Sequence, residues 1–115
     1  MPLLKLETTV PLADNLKNDL LPALSRIVGE TIGKPEDYVM ITASPTAMMM
    51  SGKAEQAAFV DIRSIGGLSA DVNRKLSQKV CAVLHELLGI PENRIYLNFT
   101  DVSAKNWGWN GATFG

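Results

Sequence analysis

The sequence predicts one α+β domain spanning residues 1–115, in which two β-α-β repeats form a four-stranded sheet with two helices on one face. Three observations predict it. GKPEDYVMIT, Gly33 to Thr42, and GIPENRIYLN, Gly89 to Asn98, share a G-x-P-E-(D/N) lead into alternating β-prone residues at an offset of 56. Carrying that offset backward without a gap sets Leu20 on Leu76, Leu24 on Val80, Ile27 on Val83 and Val28 on Leu84, the spacing of a helix that buries one stripe. Further back, Pro2-Leu3-Leu4-Lys5-Leu6 falls on Ala58-Phe59-Val60-Asp61-Ile62, so each unit opens with a strand. The repeats run over about 2–45 and 58–101.

Taken in order, the first strand begins at Pro2, where a missing N–H costs little at a strand's first residue. Its counterpart is Ala58, so the fold does not demand proline there. Asp14 can cap the first helix, but Pro22 would then lie inside it and remove a hydrogen bond, so the helix either begins later or bends. It stops at Gly33, a left-handed C-cap followed by Pro35. The second helix starts more plainly, with Ser69 as N-cap and Asp71 in the first turn, and stops at Gly89 and Pro91. Within each unit the strands are parallel, joined by a right-handed crossover. With both helices on one face, Leu4, Leu6, Val39, Ile41, Phe59 and Leu97 cannot all point at helices, which predicts an apolar uncovered face and oligomerisation.

Composition excludes several classes. Eleven basic residues against twelve acidic ones, scattered along the chain, leave a net charge of −1 and no footprint for nucleic acid. No run approaches the ~18 apolar residues of a membrane span, and the start of the chain lacks the basic region and apolar core of a signal peptide. The expectation is a soluble, cytoplasmic protein with no membrane insertion. Cys81 has no partner for an internal disulfide and sits among Val80, Val83 and Leu84, as a buried and inert thiol would.

Where the two copies differ in polarity, a site can lie. Pro2 stands opposite Ala58, Lys34 opposite Ile90, Tyr96 opposite Met40 and Asn98 opposite Thr42, all at element ends. Each also has a plainer reading: Lys34 as a solvated cation at a helix C-terminus, Tyr96 and Asn98 as an exposed polar face. The tail NWGWNGATFG sets Trp107, Trp109 and Phe114 between glycines, as a core plug or a pocket wall. Met48-Met49-Met50 fits packing or a subunit contact.

Pro2 behind Met1, GKP at Gly33, SIG at Ser64, NR at Asn73, RIYLNF at Arg94 and GWNGATF at Gly108, in this order and over nearly the whole chain, resemble the macrophage migration inhibitory factor family of the tautomerase superfamily. The resemblance implies a homotrimer with its sheets facing inward and active sites between subunits, and it calls for no cofactor or metal. It implies removal of Met1 and a Pro2 amine acting as base on α-keto acids such as phenylpyruvate, or on dopachrome-like compounds. Carried over by motif, Lys34, Ser64 and Ile65 bind substrate beside Pro2, Tyr96 and Asn98 come from the neighbouring subunit, and Tyr38, Trp107, Trp109 and Phe114 line the pocket.

The chemistry is consistent with this, since burial and a nearby lysine both lower an amine's pKa toward that of a usable base. A rival implication is a cytokine-like protein that binds a receptor after non-classical secretion, its pocket vestigial. A third is a trimer that binds small molecules without turnover. Departures from the family pattern also matter. Ala57-Ala58-Phe59-Val60 stands where the animal cytokine carries Cys-x-x-Cys, so thiol redox chemistry does not carry over. Trp107 replaces a smaller aliphatic residue and narrows the pocket edge. Arg63 stands where the animal protein has histidine.

Overall fold

In the computed structural model, which describes residues 1–115, both repeats yield the same elements at the same offset. The strands β1 (Pro2–Thr8) and β3 (Ala58–Ser64) are matched, as are the helices α1 (Asp14–Ile32) and α2 (Ala70–Leu88). Three-residue 3₁₀ turns at Glu36–Tyr38 and Glu92–Arg94 then lead into β2 (Met40–Pro45) and β4 (Ile95–Asp101). Beyond the repeats, β5 (Gly108–Trp109) and β6 (Ala112–Thr113) form a small hairpin.

The helix stripes are those the periodicity requires: Leu20, Leu24, Val28 and Ile32 on α1, and Leu76, Val80, Leu84 and Leu88 on α2, are buried against the sheet and one another. Gly33 at φ 80° and Gly89 at φ 72° take the left-handed conformation that a side chain resists, and their N–H groups close onto Gly29 and His85 carbonyls. The helix starts differ. The Ser69 hydroxyl accepts from the Val72 N–H at 3.1 Å, whereas Ala13 before α1 supplies no side-chain cap. Asp14 is the first residue of α1 rather than its cap, and the helix carries Pro22 internally, so the Asn18 carbonyl loses its usual donor four residues on.

The sheet order is β2-β1-β3-β4. Each repeat pairs its own strands in parallel, β1 with β2 and β3 with β4, while β1 and β3 join antiparallel at the centre. This register decides which side chains share a face. Leu4, Ile41, Ile62 and Phe99 lie in one row, and Leu6, Ala43, Val60 and Leu97 in another, all on the helix side.

The expectation of an apolar uncovered face needs correction. Leu4, Leu6, Val39, Ile41 and Leu97 all pack toward the helices, and only Phe59 of the six belongs to the open side. That side carries a charged residue in each of three rows: Met40, Leu3, Arg63, Thr100; then Thr42, Lys5, Asp61, Asn98; then Ser44, Glu7, Phe59, Tyr96.

Arg94, at the end of the second 3₁₀ turn, is buried without a carboxylate partner. Its guanidinium donates instead to the carbonyls of Gln56 (2.7 Å), Met50 (3.1 Å), Lys53 (3.0 Å) and Glu55 (3.2 Å), pinning the connection between the repeats. No helix is long and apolar enough to cross a membrane.

Candidate functional site

The register brings the start of β1, the start of β2 and the end of β3 to one end of the sheet: Leu3 lies beside Met40 and Arg63, and Pro2 beside Ser64. The chain leaving β4 returns to this end as the aromatic tail. Between them lies the largest cleft of the molecule, about 500 Å³, lined by Met1 to Leu3, Asp37 to Met40, Arg63, Val102 and, from the tail, Asn106 to Trp109 and Phe114.

The tail is shaped by a turn. Asn110 at φ 53° and Gly111 at φ 76° form a two-residue loop with both central residues left-handed, the geometry that Asn-Gly favours in hairpins. Trp109 therefore pairs with Ala112, and the Phe114 N–H donates to the Trp107 carbonyl at 3.1 Å. Trp109 and Phe114 stack with centroids 5.8 Å apart and planes at 12°, while Tyr38 meets Trp109 edge-on at 6.1 Å and 74°. Of the two sequence readings of the tail, the pocket wall is the one observed: Trp107, Trp109 and Phe114 all face the cleft. The Asn-Gly signal is the part of the tail that reading overlooked.

Pro2 is buried at the cleft floor, with Met1 half-buried above it. The pKa of the terminal amine is lowered, first by burial and then by the positive charge of Lys34. With Met1 attached, the Pro2 nitrogen is an amide and has no basicity. Once Met1 is removed, that nitrogen becomes the terminal amine, one residue deeper.

Lys34 follows the α1 C-cap, its own N–H held by the Gly29 carbonyl at 3.0 Å. Its side chain runs toward the loop after β3, with Cε 3.6 Å from where a Cβ on Gly67 would sit. That loop is fixed by the buried Ser64, whose hydroxyl donates to the Gly66 carbonyl at 2.7 Å, and by the Gly66 N–H, which donates to the Asp101 carboxylate at 3.0 Å. The Ser64 hydroxyl is thus already engaged, but the Ile65 N–H has no acceptor within the chain.

Tyr96 and Asn98 lie elsewhere in the fold. Tyr96 belongs to the row of Glu7, five rows along β1 from Pro2 and so about 16 Å away along the strand. Its ring is 65% exposed beside Met48, Met49 and Phe59, in a separate depression. Asn98 is exposed on the same face. One chain therefore unites Pro2, Tyr38, Trp107, Trp109 and Phe114 at the cleft with Lys34, Ser64 and Ile65 near it, and leaves Tyr96 and Asn98 on an open surface. Met40, Asp37 and Arg63 line the cleft although sequence reasoning did not place them there.

Cys81, on α2, does not line the cleft. It is half-buried rather than fully buried, and burial followed by the charge of Glu92 raises the pKa of its thiol.

A family model described as macrophage migration inhibitory factor (MIF) matches residues 1–115. The chain belongs to the MIF family. A MIF homolog from Trichinella spiralis is 36% identical over 115 residues, covering 99% of this chain and 100% of that protein. The MIF of Xenopus tropicalis is 35% identical over 102 residues, 88% of this chain and 89% of that one. Among solved structures, a MIF homologue from Prochlorococcus marinus matches with a TM-score of 0.93 and 41% identity, covering 98% of this chain and 99% of that one. MIF from Toxoplasma gondii matches with a TM-score of 0.95 at 32% identity, covering 97% and 99%. The doubled β-α-β architecture is therefore that of MIF and the tautomerase superfamily.

Proposed function

We propose that this MIF-family protein is a keto-enol tautomerase acting on phenylpyruvate-like α-keto acids and on dopachrome-like compounds, with the Pro2 amine as base after Met1 removal. The carrying observation is a chain start set in an aromatic cleft, with Pro2 buried and the pKa of the Met1 amine just ahead of it lowered by burial and by Lys34. A neutral amine there takes the proton from the carbon beside the keto group; the C–H electrons form the C=C bond, and the carbonyl oxygen gains a proton to give the enol. Lys34 and the free Ile65 N–H hold the substrate's oxygens, the Lys34 ammonium by charge and the amide by a hydrogen bond. The tail aromatics receive the substrate's apolar part.

The reading is completed by a trimer. The edge strands β2 and β4 each have one outer edge without a partner, and Met49 and Tyr96 are large apolar groups left in solvent. A neighbour's Asn98 then donates a hydrogen bond to the substrate, and its Tyr96 supplies or orients a proton donor.

The test measures phenylpyruvate tautomerisation by wild type and Pro2→Gly, on protein whose intact mass shows Met1 lost. Near-complete loss in the variant is expected, and unchanged activity would overturn the assignment. The second reading, receptor binding by a cytokine-like protein, is favoured by the macrophage-directed names of relatives such as the Xenopus tropicalis protein. It gains if Met1-free wild type is inactive.

A further inference from the structure

Arg63 is the one cationic side chain lining the cleft itself. It lies on β3 directly opposite Leu3, one row from Pro2 and its partner Ser64. Its guanidinium is held in place by Asp61, two residues back on the same face, through Nε at 3.3 Å and Nη2 at 3.1 Å to a single carboxylate oxygen. Two of its five N–H donors are used in this way, and the others have no acceptor in the chain. Lys5 stands directly across from Asp61 on β1, so the row beside Arg63 holds one charge of each sign. The Arg63 side chain remains 54% exposed, oriented by Asp61 and open to a further anion.

Resting on the tautomerase reading, we propose that Arg63 binds a second carboxylate, so that the preferred substrate is a 2-oxo acid carrying a distal carboxylate rather than a plain aryl pyruvate. Lys34, near the amine, serves the carboxylate beside the reacting carbon. Arg63 serves the distal one with the planar, permanently charged fork that suits it. The aromatic wall between the chain's start and its tail accommodates the connecting ring or chain. Asp37, the other charged residue lining the cleft, is carried by the 3₁₀ turn after α1, a different element from the strand that bears Arg63.

The experiment uses Met1-free wild type, Arg63→Gln and Arg63→Lys, with cinnamate and 4-carboxycinnamate as planar, unreactive probes for titration calorimetry. Wild type should bind the dicarboxylate about tenfold more tightly than the monocarboxylate, the Gln variant should lose that ratio, and the Lys variant should recover part of it. A wild-type ratio of one, or a ratio unchanged by Arg63→Gln, overturns the inference. In parallel, kcat/KM is compared for phenylpyruvate and 4-carboxyphenylpyruvate, where the same ratio should fall in the Gln variant. Turnover of phenylpyruvate without an Arg63-dependent ratio removes the anion subsite and keeps the tautomerase. A binding ratio that follows Arg63 in a protein that turns over neither compound removes the tautomerase and keeps the subsite.

Discussion

Arg94 reaches back across the fold to Gln56, its Nε–H donating to the Gln56 carbonyl at 2.7 Å, the shortest of four such bonds to the connection between the repeats. A buried guanidinium with no carboxylate is tolerable only because carbonyl dipoles surround it. Removing it leaves those carbonyls unpaired and the methionine-bearing segment unanchored. Arg94→Met should cost about 2–4 kcal/mol of stability in chemical denaturation. A loss below about 0.5 kcal/mol, the range of ordinary surface substitutions, would show that the clamp is ornamental.

Gly66 and Gly67 form a matched pair for separating backbone strain from contact. Both have positive φ, 69° and 78°, but a Cβ on Gly66 meets nothing within 4 Å while one on Gly67 falls 2.7 Å from Ile32 Cγ2. Gly66→Ala should therefore cost only the left-handed penalty of about 1 kcal/mol. Gly67→Ala adds a clash with a buried side chain and should cost about 2–3 kcal/mol. Equal thermal shifts for the two would disprove the contact. Because Lys34 passes beside Gly67, the second variant should also weaken substrate binding.

Cys81 offers a test of local environment. Burial and the neighbouring Glu92 both disfavour its thiolate, so its pKa lies above that of a free thiol. At mildly alkaline pH the folded protein should react with iodoacetamide more slowly than the same chain in denaturant. Equal rates would mean that the thiol is as available as in an open chain.

The duplication made the fold legible: one offset transfers the buried stripe and the glycine stop from α1 to α2. The start of α1 stayed ambiguous because the methyl of Ala13 cannot accept a capping hydrogen bond, and only packing carries the helix through Pro22. Face assignment was harder, since Ile41 and Leu97 become helix-facing only once the strand register is known. The cleft was legible in its aromatics. It was not in Arg63, whose approach to Pro2 depends on the antiparallel pairing of two strands some sixty residues apart in sequence. The Asn110-Gly111 turn was visible in principle, but flanking strands of two residues are too short to show alternation.

Lys34 ties the amine's chemistry to pH. A base must be neutral to accept the substrate's proton, so kcat/KM rises with pH as the amine loses its own proton and levels off above its pKa. Burial and Lys34 lower the pKa of the Met1 amine, and the same two causes acting on the Pro2 amine one residue deeper place the rise at lower pH than for an ordinary terminal amine. Lys34→Gln removes the second cause and keeps the first. The rising limb should then move to higher pH, while KM for phenylpyruvate increases about tenfold through loss of a charged contact to the carboxylate. Both changes should follow from one substitution, and at high pH kcat should recover more than kcat/KM does. A limb that stays in place while KM rises would mean that Lys34 holds substrate without tuning the base. A limb that moves downward would contradict the electrostatics outright.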